Sequence, residues 1–242
     1  MTYHEGPYIV KKAGQVVENL IIVTQPGEDT ALKIAKNDVT IRNVVIYHPA
    51  SARGIFGWYP ANLRLENVEV IAYGNAWGAN PCPSRNPFNG YECTNIKIYN
   101  AENLVISNVR VENGSKGISI QRSPGALLTH VVARNVRGPF PAGQCFQIAR
   151  SDDVTVENFH CFNDIYLSWS GDSISAWRSS NVSFINGVVD GNTSPTGICL
   201  MFEGSKKGTH GGLIQSVEAI HCQGCFSGFP ANGLREVNVT CA

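Results

Sequence analysis

Charged residues are scarce in this chain, and neither sign predominates. Asp, Glu, Lys and Arg make up 16% of the 242 residues, with 19 acidic and 19 basic side chains, whereas a typical globular domain has about 25%. A balanced charge gives no reason to expect nucleic acid or an acidic membrane surface as a partner, and we predict neither. No stretch approaches the roughly 20 apolar residues of a membrane span. The first residues also lack the basic and apolar regions of a secretory signal.

The 3.6-residue hydrophobic period of amphipathic helices is almost absent as well. Short runs instead alternate apolar and polar residues, are rich in β-branched side chains, and end in Gly, Ser, Asn or Pro. This pattern is typical of β-strands. It excludes repeat arrays that are built from helices, such as ankyrin, tetratricopeptide and armadillo arrays.

Several signatures of catalytic and metal sites are missing too. The nearest approach to a zinc site is the set His210, His221, Cys222 and Cys225, which has no second pair at the usual spacing. We therefore predict no metal and no cofactor. We expect the eight cysteines to form disulfides or to be buried thiols. The chain also has no nucleophile elbow of the Ser/His/Asp hydrolases.

One phrase returns three times with an arginine near its end. Arg122, Arg150 and Arg178 are spaced 28 residues apart, and each follows a short apolar–polar alternation and precedes a serine. A fixed period of this size indicates one supersecondary unit stacked on copies of itself. Such a stack places equivalent side chains in straight columns, a geometry suited to a polymer.

A second phrase, with asparagine at its centre in most copies, repeats over a longer part of the chain. It begins at residues 39, 63, 104, 126, 154 and 182, so its steps are 24, 41, 22, 28 and 28 residues. Two or three strands fit such a step, but a helix in each repeat does not. The sequence therefore predicts an all-β fold, a single parallel β-helix (solenoid) of about eight coils. A long loop inserted at about residues 71–93 explains the largest step.

We expect one domain over residues 1–242, with an N-terminal cap at about residues 1–30, because an open coil end exposes unpaired strand backbone. We also expect the recurring asparagines to form an inward turn column in which stacked amides bond to one another. These asparagines are Asn43, Asn67, Asn108, Asn158 and Asn186.

The coil phrases cover about residues 30–225 and resemble the right-handed parallel β-helix of the pectin-lyase-like superfamily. Three segments are similar to uncharacterised bacterial β-helix-repeat proteins: Arg137-Gly-Pro-Phe-Pro-Ala-Gly-Gln144, Gly171-Asp-Ser-Ile-Ser and Ser194-Pro-Thr-Gly-Ile198. The resemblance implies a right-handed solenoid and a carbohydrate polymer as ligand, on the outer face of one sheet or beside its long loops. The superfamily includes lyases, hydrolases, epimerases, adhesins and tailspikes, so the fold does not decide the activity.

Strand parity predicts which residues face outward in the arginine-bearing strands. The apolar positions share one parity and point into the core. One outward column then holds Ser119, Gln147 and Ser175, and a second holds Gln121, Ala149 and Trp177. The next coil is expected to place Glu203 in the column of Trp177. We expect an aromatic ring beside a carboxylate and amides to form a sugar subsite.

Two chemistries fit these residues. Glycoside hydrolysis needs two carboxylates, for which Asp172 at the start of a strand and Glu203 are the candidates; the alternative is that Asp172 caps a turn and Glu203 is merely solvated. A lyase or epimerase needs a base and a cation to stabilise the developing charge. Lys206 and His210, on the loop after Glu203, are candidate bases.

The arginine column is the candidate binder of uronate carboxylates, since a guanidinium binds a carboxylate through two parallel bonds. The alternative is a structural ladder in which Arg122, Arg150 and Arg178 turn back to cover the coil and bond carbonyls. With Gln147, Ser175 and Trp177 they complete the predicted substrate-binding set.

The sequence thus predicts a carbohydrate-active protein that acts on an extracellular polysaccharide, as a lyase or a glycoside hydrolase. The alternative is a non-catalytic polysaccharide-binding module, such as an adhesin or a piece of a tailspike. An extracellular or cell-surface location is favoured, and the sequence leaves the oligomeric state open.

Overall fold

Within its described residues, the computed structural model consists of β-strands joined by turns; these residues are 1–74, 93–136, 138, 143–164, 170–192, 197–203, 210–227 and 232–242. The strands are β1 (Thr2–Glu5), β2 (Tyr8–Ile9), β3 (Val16–Val23), β4 (Thr30–Ile34), β5 (Thr40–Pro49), β6 (Arg53–Trp58), β7 (Arg64–Tyr73), β8 (Thr94–Tyr99), β9 (Val105–Glu112), β10 (Lys116–Gln121), β11 (Leu127–Arg134), β12 (Phe146–Ala149), β13 (Thr155–Phe162), β14 (Ile174–Trp177), β15 (Ser183–Asn192), β16 (Ile198–Glu203), β17 (His210–Cys222), β18 (Gly224–Ser227) and β19 (Asn232–Cys241). None of the described residues belongs to a helix long and apolar enough to cross a membrane.

The strands alternate between two parallel sheets. Odd-numbered strands form a ten-stranded sheet in chain order, and even-numbered strands form a nine-stranded sheet in the same order. Each coil of the chain therefore adds one strand to each sheet, which is the arrangement of a parallel β-helix. This confirms the predicted solenoid, and the number of coils is close to the eight expected.

The 28-residue period becomes a vertical stack, as the arginine phrases predict. Ile120 pairs with Ile148, and Ile148 pairs with Ala176. All three are fully buried. The core therefore runs along the axis between the two sheets, and neighbouring coils bury equivalent apolar side chains against each other, the main source of stability in a solenoid.

The segments predicted as an N-terminal cap and a long loop overlap with strands. Strands β1 to β3 lie within the first thirty residues, and they join both sheets. The segment predicted as a long loop, at about residues 71–93, begins inside β7, which ends at Tyr73, and β8 starts after it at Thr94. Most of it, residues 75–92, lies outside the described residues.

The asparagine column faces outward from the ten-stranded sheet, so the prediction that it faces inward was wrong. Asn43, Asn67 and Asn108 have φ of 52°, 53° and 52°, the left-handed region that asparagine tolerates better than most residues. One such residue resets the alternation, so that Ile41 and Val44, three apart, are both buried. The amides do bond to one another, as expected, but they lie on the outer surface.

Cysteines close the C-terminal coils. Disulfides join Cys145 to Cys161, Cys199 to Cys222, and Cys225 to Cys241. Cys222 and Cys225, considered above as possible zinc ligands, are thus both bonded to other cysteines. Among the described residues there is no group of three or more His, Cys, Asp or Glu that could hold a metal ion.

Candidate functional site

The outer face of the nine-stranded sheet carries the two predicted columns. Gln147 pairs with Ser175, which pairs with Met201. Beside them, Trp177 pairs with Glu203. The register deduced from the sequence is therefore confirmed, and it carries Trp177 and Glu203 on neighbouring strands of one face.

Each of the three arginines directly follows a strand of this face, and two of them lie beside Trp177. Arg122, Arg150 and Arg178 have φ of 52°, 51° and 51°, and the left-handed conformation turns their side chains out to the surface, where all three are exposed. The guanidinium of Arg150 lies 5.0 Å from the Trp177 ring centroid, and that of Arg178 lies 4.6 Å from it. Such cation–π contacts hold the guanidinium planes in place. The side chains do not turn back to cover the coil.

A column of serines fixes the turn that follows the arginines. Ser123, Ser151 and Ser179 are fully buried. The backbone N–H of Ser123 donates to Ser151 Oγ at 2.9 Å, and that of Ser151 donates to Ser179 Oγ at 3.0 Å. Because each turn is bonded to the next, the arginines that precede it keep the same position from coil to coil.

Asp172 and Glu203 form a partly buried carboxylate pair. Asp172 lies two residues before β14, and Glu203 ends the neighbouring strand β16. Burial, and next the charge of Glu203, raise the pKa of Asp172 to about 6. Burial also raises the pKa of Glu203, while the charge of Lys116 acts in the opposite direction. Burial thus raises the pKa of both carboxyl groups, and a nearby cation, Lys116, opposes that rise at Glu203.

Lys116 completes the cluster, and sequence reasoning missed it. Its Nζ donates a hydrogen bond to Gln147 Oε1 at 3.0 Å, and Ser119 Oγ donates to the same oxygen at 3.1 Å. Burial, and next the charge of Lys97, lower the pKa of Lys116 to about 8, against an opposing effect of Glu203. One signal was available. Lys116 shares the inward parity of Ile118, a position no lysine can occupy unpaired, so its side chain had to bend round to the outer face.

Ser175 leaves a polar atom without a partner on this face. Its side chain is fully buried, and Ser175 Oγ has no hydrogen-bond partner in the described part of the chain. Leaving a buried hydroxyl unsatisfied costs on the order of 1–3 kcal/mol.

Two predicted catalytic residues are not part of this cluster as described. Lys206 lies outside the described residues. His210 is exposed at the start of β17, round the turn on the ten-stranded sheet, where its carbonyl accepts from the N–H of Asn181. Within the described ranges, no hydrogen bond or ion pair joins the His210 side chain to Asp172 or Glu203.

Comparison with known proteins gives no match by sequence and several by structure. No protein-family model matches the chain, and no curated protein matches it. An alginate lyase from Paenibacillus sp. superimposes with a TM-score of 0.60 at 11% identity, over 98% of this chain and 89% of the lyase. An endo-xylogalacturonan hydrolase from Aspergillus tubingensis gives 0.56 at 8% identity, over 99% and 82% of the two chains.

The chain has the right-handed parallel β-helix fold that these two structures share. This confirms the fold that the coil phrases predict. A DFA-IIIase from Arthrobacter chlorophenolicus, solved in complex with GF2, shares the β-helix with a TM-score of 0.54 at 14% identity, and the chain spans 47% of its length while 84% of this chain is covered. At identities this low the likeness shows the fold alone, so the activity has to be argued from the site.

Proposed function

We propose that this β-helix is an enzyme that binds an anionic polysaccharide along the outer face of its nine-stranded sheet and hydrolyses it with Asp172 and Glu203. The observation that carries the proposal is the carboxylate pair, in which burial and mutual repulsion raise the pKa of Asp172 to about 6. The structural likeness to an alginate lyase and a xylogalacturonan hydrolase supports a polysaccharide as substrate.

The charge of the face supports an acidic sugar. The whole chain is neutral, with 19 charges of each sign, yet cations outnumber carboxylates on this sheet. Arg122, Arg150 and Arg178 stand in one column, and within the described residues none of them forms an ion pair. Lys97 and Lys116 lie on the strands beside them. A guanidinium column matches the carboxylates of successive uronate units.

In the hydrolytic reaction the two carboxyl groups have different roles. Protonated Asp172 donates its proton to the glycosidic oxygen as the bond to the anomeric carbon breaks. Ionised Glu203, supported by Lys116, removes a proton from the water that attacks that carbon, so the products are two shorter chains.

One observation favours β-elimination as a second candidate. Lys116 has a pKa lowered to about 8, so a substantial part of it is neutral near pH 8 and able to act as a base. It would take the proton next to the uronate carboxylate, whose developing charge the arginines stabilise. The glycosidic oxygen then leaves with the proton that Lys116 has taken up, and one product carries a carbon–carbon double bond.

Product analysis separates these reactions. The protein is incubated with alginate, polygalacturonate, xylan and a neutral β-glucan, and new reducing ends are measured together with the ultraviolet absorbance of unsaturated ends. Reducing ends without absorbance support hydrolysis, and both signals together indicate elimination. Binding to a polymer in an affinity gel with neither signal would overturn the enzymatic proposal in favour of a binding module.

The disulfides support an extracellular or cell-surface location. Three disulfides join described cysteines, and such bonds form and persist in oxidising compartments. A polysaccharide outside the cell would be accessible to the enzyme there.

A further inference from the structure

Four aromatic rings cluster on the outer face of the nine-stranded sheet, well away from the carboxylates. Phe56 and Trp58 belong to β6, Tyr59 follows it, and Tyr99 ends β8. The Trp58 ring centroid lies 5.4 Å from that of Tyr99 and 5.2 Å from that of Tyr59, and the centroids of Phe56 and Tyr99 are 6.3 Å apart. Trp58 is 46% exposed and Tyr59 is 59% exposed. Contiguous exposed rings of this kind mark a binding surface more often than a solvated one.

This aromatic platform belongs to the same outward column as the proposed active site. Trp58 pairs with Tyr99, Tyr99 with Gln121, Gln121 with Ala149, Ala149 with Trp177, and Trp177 with Glu203. Five strand spacings of about 4.8 Å separate Trp58 from Glu203, which is roughly 24 Å along the solenoid axis. A linear polymer that lies on the column reaches both ends.

The outward positions between the two ends carry smaller side chains. Gln121 and Ala149 stand in the column between Tyr99 and Trp177, and Ser119 stands on the same strand as Gln121. These positions hold no large apolar side chain, which suits the passage of a hydroxyl-rich chain rather than an apolar partner.

Cations stand beside the platform rings. The ammonium of Lys97 lies 5.1 Å from the Tyr99 ring centroid. The guanidinium of Arg53 lies 4.4 Å from that of Phe56, but it is ion-paired with Asp29. A flat ring next to a cation matches an acidic sugar unit, which presents an apolar C–H face and a carboxylate. Tyr99 with Lys97 therefore resembles the combination of Trp177 with Arg150 and Arg178.

We propose that Phe56, Trp58, Tyr59 and Tyr99 form a remote subsite for the same anionic polysaccharide, so that the enzyme binds long chains along its axis and prefers them to short oligosaccharides. This rests on the proposed function in its choice of ligand. Binding energy from the remote units holds the chain across the carboxylates and lowers KM for polymers.

The test removes the platform and varies the length of the ligand. The double variant Trp58→Ala/Tyr99→Ala is compared with Tyr47→Ala, which deletes a surface ring that is 37% exposed on the ten-stranded sheet. Thermal unfolding confirms that each variant is folded, and Trp58→Phe retains one flat ring if the double variant is not. Affinity gels with alginate and polygalacturonate measure binding, and product release measures turnover.

Removal of the platform should raise the dissociation constant for long polyuronates by about tenfold or more. Oligosaccharides of about three units, too short to bridge roughly 24 Å, should bind and react as before, and Tyr47→Ala should change neither. An equal loss for long and short ligands, or no loss with the long ones, would overturn the proposal, as would failure of the unaltered protein to bind any polyuronate. Because binding is measured directly, a platform effect without turnover would leave the remote subsite standing while the hydrolytic proposal fails.

Discussion

Coils of both sheets contain residues in the left-handed backbone conformation, but the residue type differs between the two sheets. In the ten-stranded sheet the position holds asparagines such as Asn67, whose amide donates to Asn43 at 3.2 Å and accepts from Asn108 at 2.5 Å. In the nine-stranded sheet it holds Arg150 and Arg178, with nearly the same φ. Asparagine meets the backbone requirement and builds a ladder. Arginine is disfavoured there by on the order of 1 kcal/mol, and its exposed side chain adds no ladder.

The two faces also differ in how their charged side chains are paired. On the ten-stranded sheet Arg42 bonds Glu18, and Arg110 contacts both Glu69 and Glu112, so the charges cancel locally. On the nine-stranded sheet the arginines stack on a tryptophan beside a carboxylate pair with raised pKa values. The comparison teaches that one face meets its backbone and charge requirements internally, whereas the other accepts local costs, as expected of the proposed binding face.

The largest expected effect is the loss of turnover on replacement of the Glu203 carboxylate, compared with replacement of Glu69 on the other face. Glu203→Gln removes the proposed base and should lower turnover by about 1,000-fold, while polymer affinity stays within a few-fold because the arginines and aromatic rings remain. Glu69→Gln, on the ten-stranded sheet, is the matched control and should leave turnover unchanged. Release of reducing ends measures both. More than a tenth of the original turnover in Glu203→Gln would remove the residue from the mechanism.

The next largest effect concerns the arginine column. Arg150→Gly/Arg178→Gly should weaken polyuronate binding by about 100-fold, since each lost charge-assisted contact is worth roughly 1.5–3 kcal/mol. Stability should change by less than about 1 kcal/mol, because glycine adopts the left-handed conformation without strain. Affinity gels and thermal unfolding measure the two quantities.

Arg42→Gln provides the control for lost positive charge. Arg42 lies on the ten-stranded sheet and is ion-paired with Glu18, so its replacement should not alter polymer binding. If Arg42→Gln and the arginine double variant weaken binding equally, the effect is one of net charge, and the column has no special role.

The sequence predicted the fold and the outward columns because both depend on period and parity alone. Ile120, Ile148 and Ala176 have equivalent positions in phrases 28 residues apart, and hydrophobic burial gives such a pattern one solution. The register of Glu203 with Trp177 followed from the same alignment.

The direction of the asparagines and the role of Lys116 were not predictable by the same rules. A left-handed residue resets strand parity, and the sequence does not say where this happens, so Asn67 was expected inside and lies outside. Lys116 reaches the site through the flexibility of a long side chain, not through its backbone phase. Parity gives the direction in which a side chain leaves an extended backbone, so it fails at Asn67, where the backbone turns, and at Lys116, where a long side chain bends away.

The pH dependence of turnover should distinguish the two reactions on the nine-stranded face. Asp172 acts as an acid only when protonated, and its pKa is raised to about 6. Hydrolysis should therefore slow by about tenfold for each pH unit above 6. Elimination with Lys116 as base should instead accelerate as pH rises toward its pKa of about 8. A kcat profile from pH 5 to 9 checks this, and a flat profile would count against both assignments.

The raised pKa of Asp172 should also make the free energy of unfolding depend on pH. The pKa of Asp172 is higher in the folded protein than its ordinary value of 3.8, so the folded state binds the proton more tightly than the unfolded chain. Its contribution to the free energy of unfolding therefore falls as pH rises from about 4 to 6. Asp172→Asn should raise the Tm at pH 7 while abolishing turnover. A lower Tm would mean that the carboxylate is a structural cap.

The smallest expected effect concerns Asn67, whose amide bonds to Asn43 and Asn108 on the ten-stranded sheet. Asn67→Gly removes the amide bonds to Asn43 and Asn108 but keeps the left-handed conformation, and should cost about 1 kcal/mol in the free energy of unfolding. Asn67→Ala loses the same bonds and adds the strain of a Cβ at positive φ, so the cost should reach about 2 kcal/mol. Neither should alter polymer affinity. Chemical denaturation measures the difference between the two variants, which isolates the backbone requirement that Arg150 also meets. If Arg150→Gly proved as destabilising as Asn67→Ala, the arginine column would be a structural ladder after all, and the contrast between the faces would disappear.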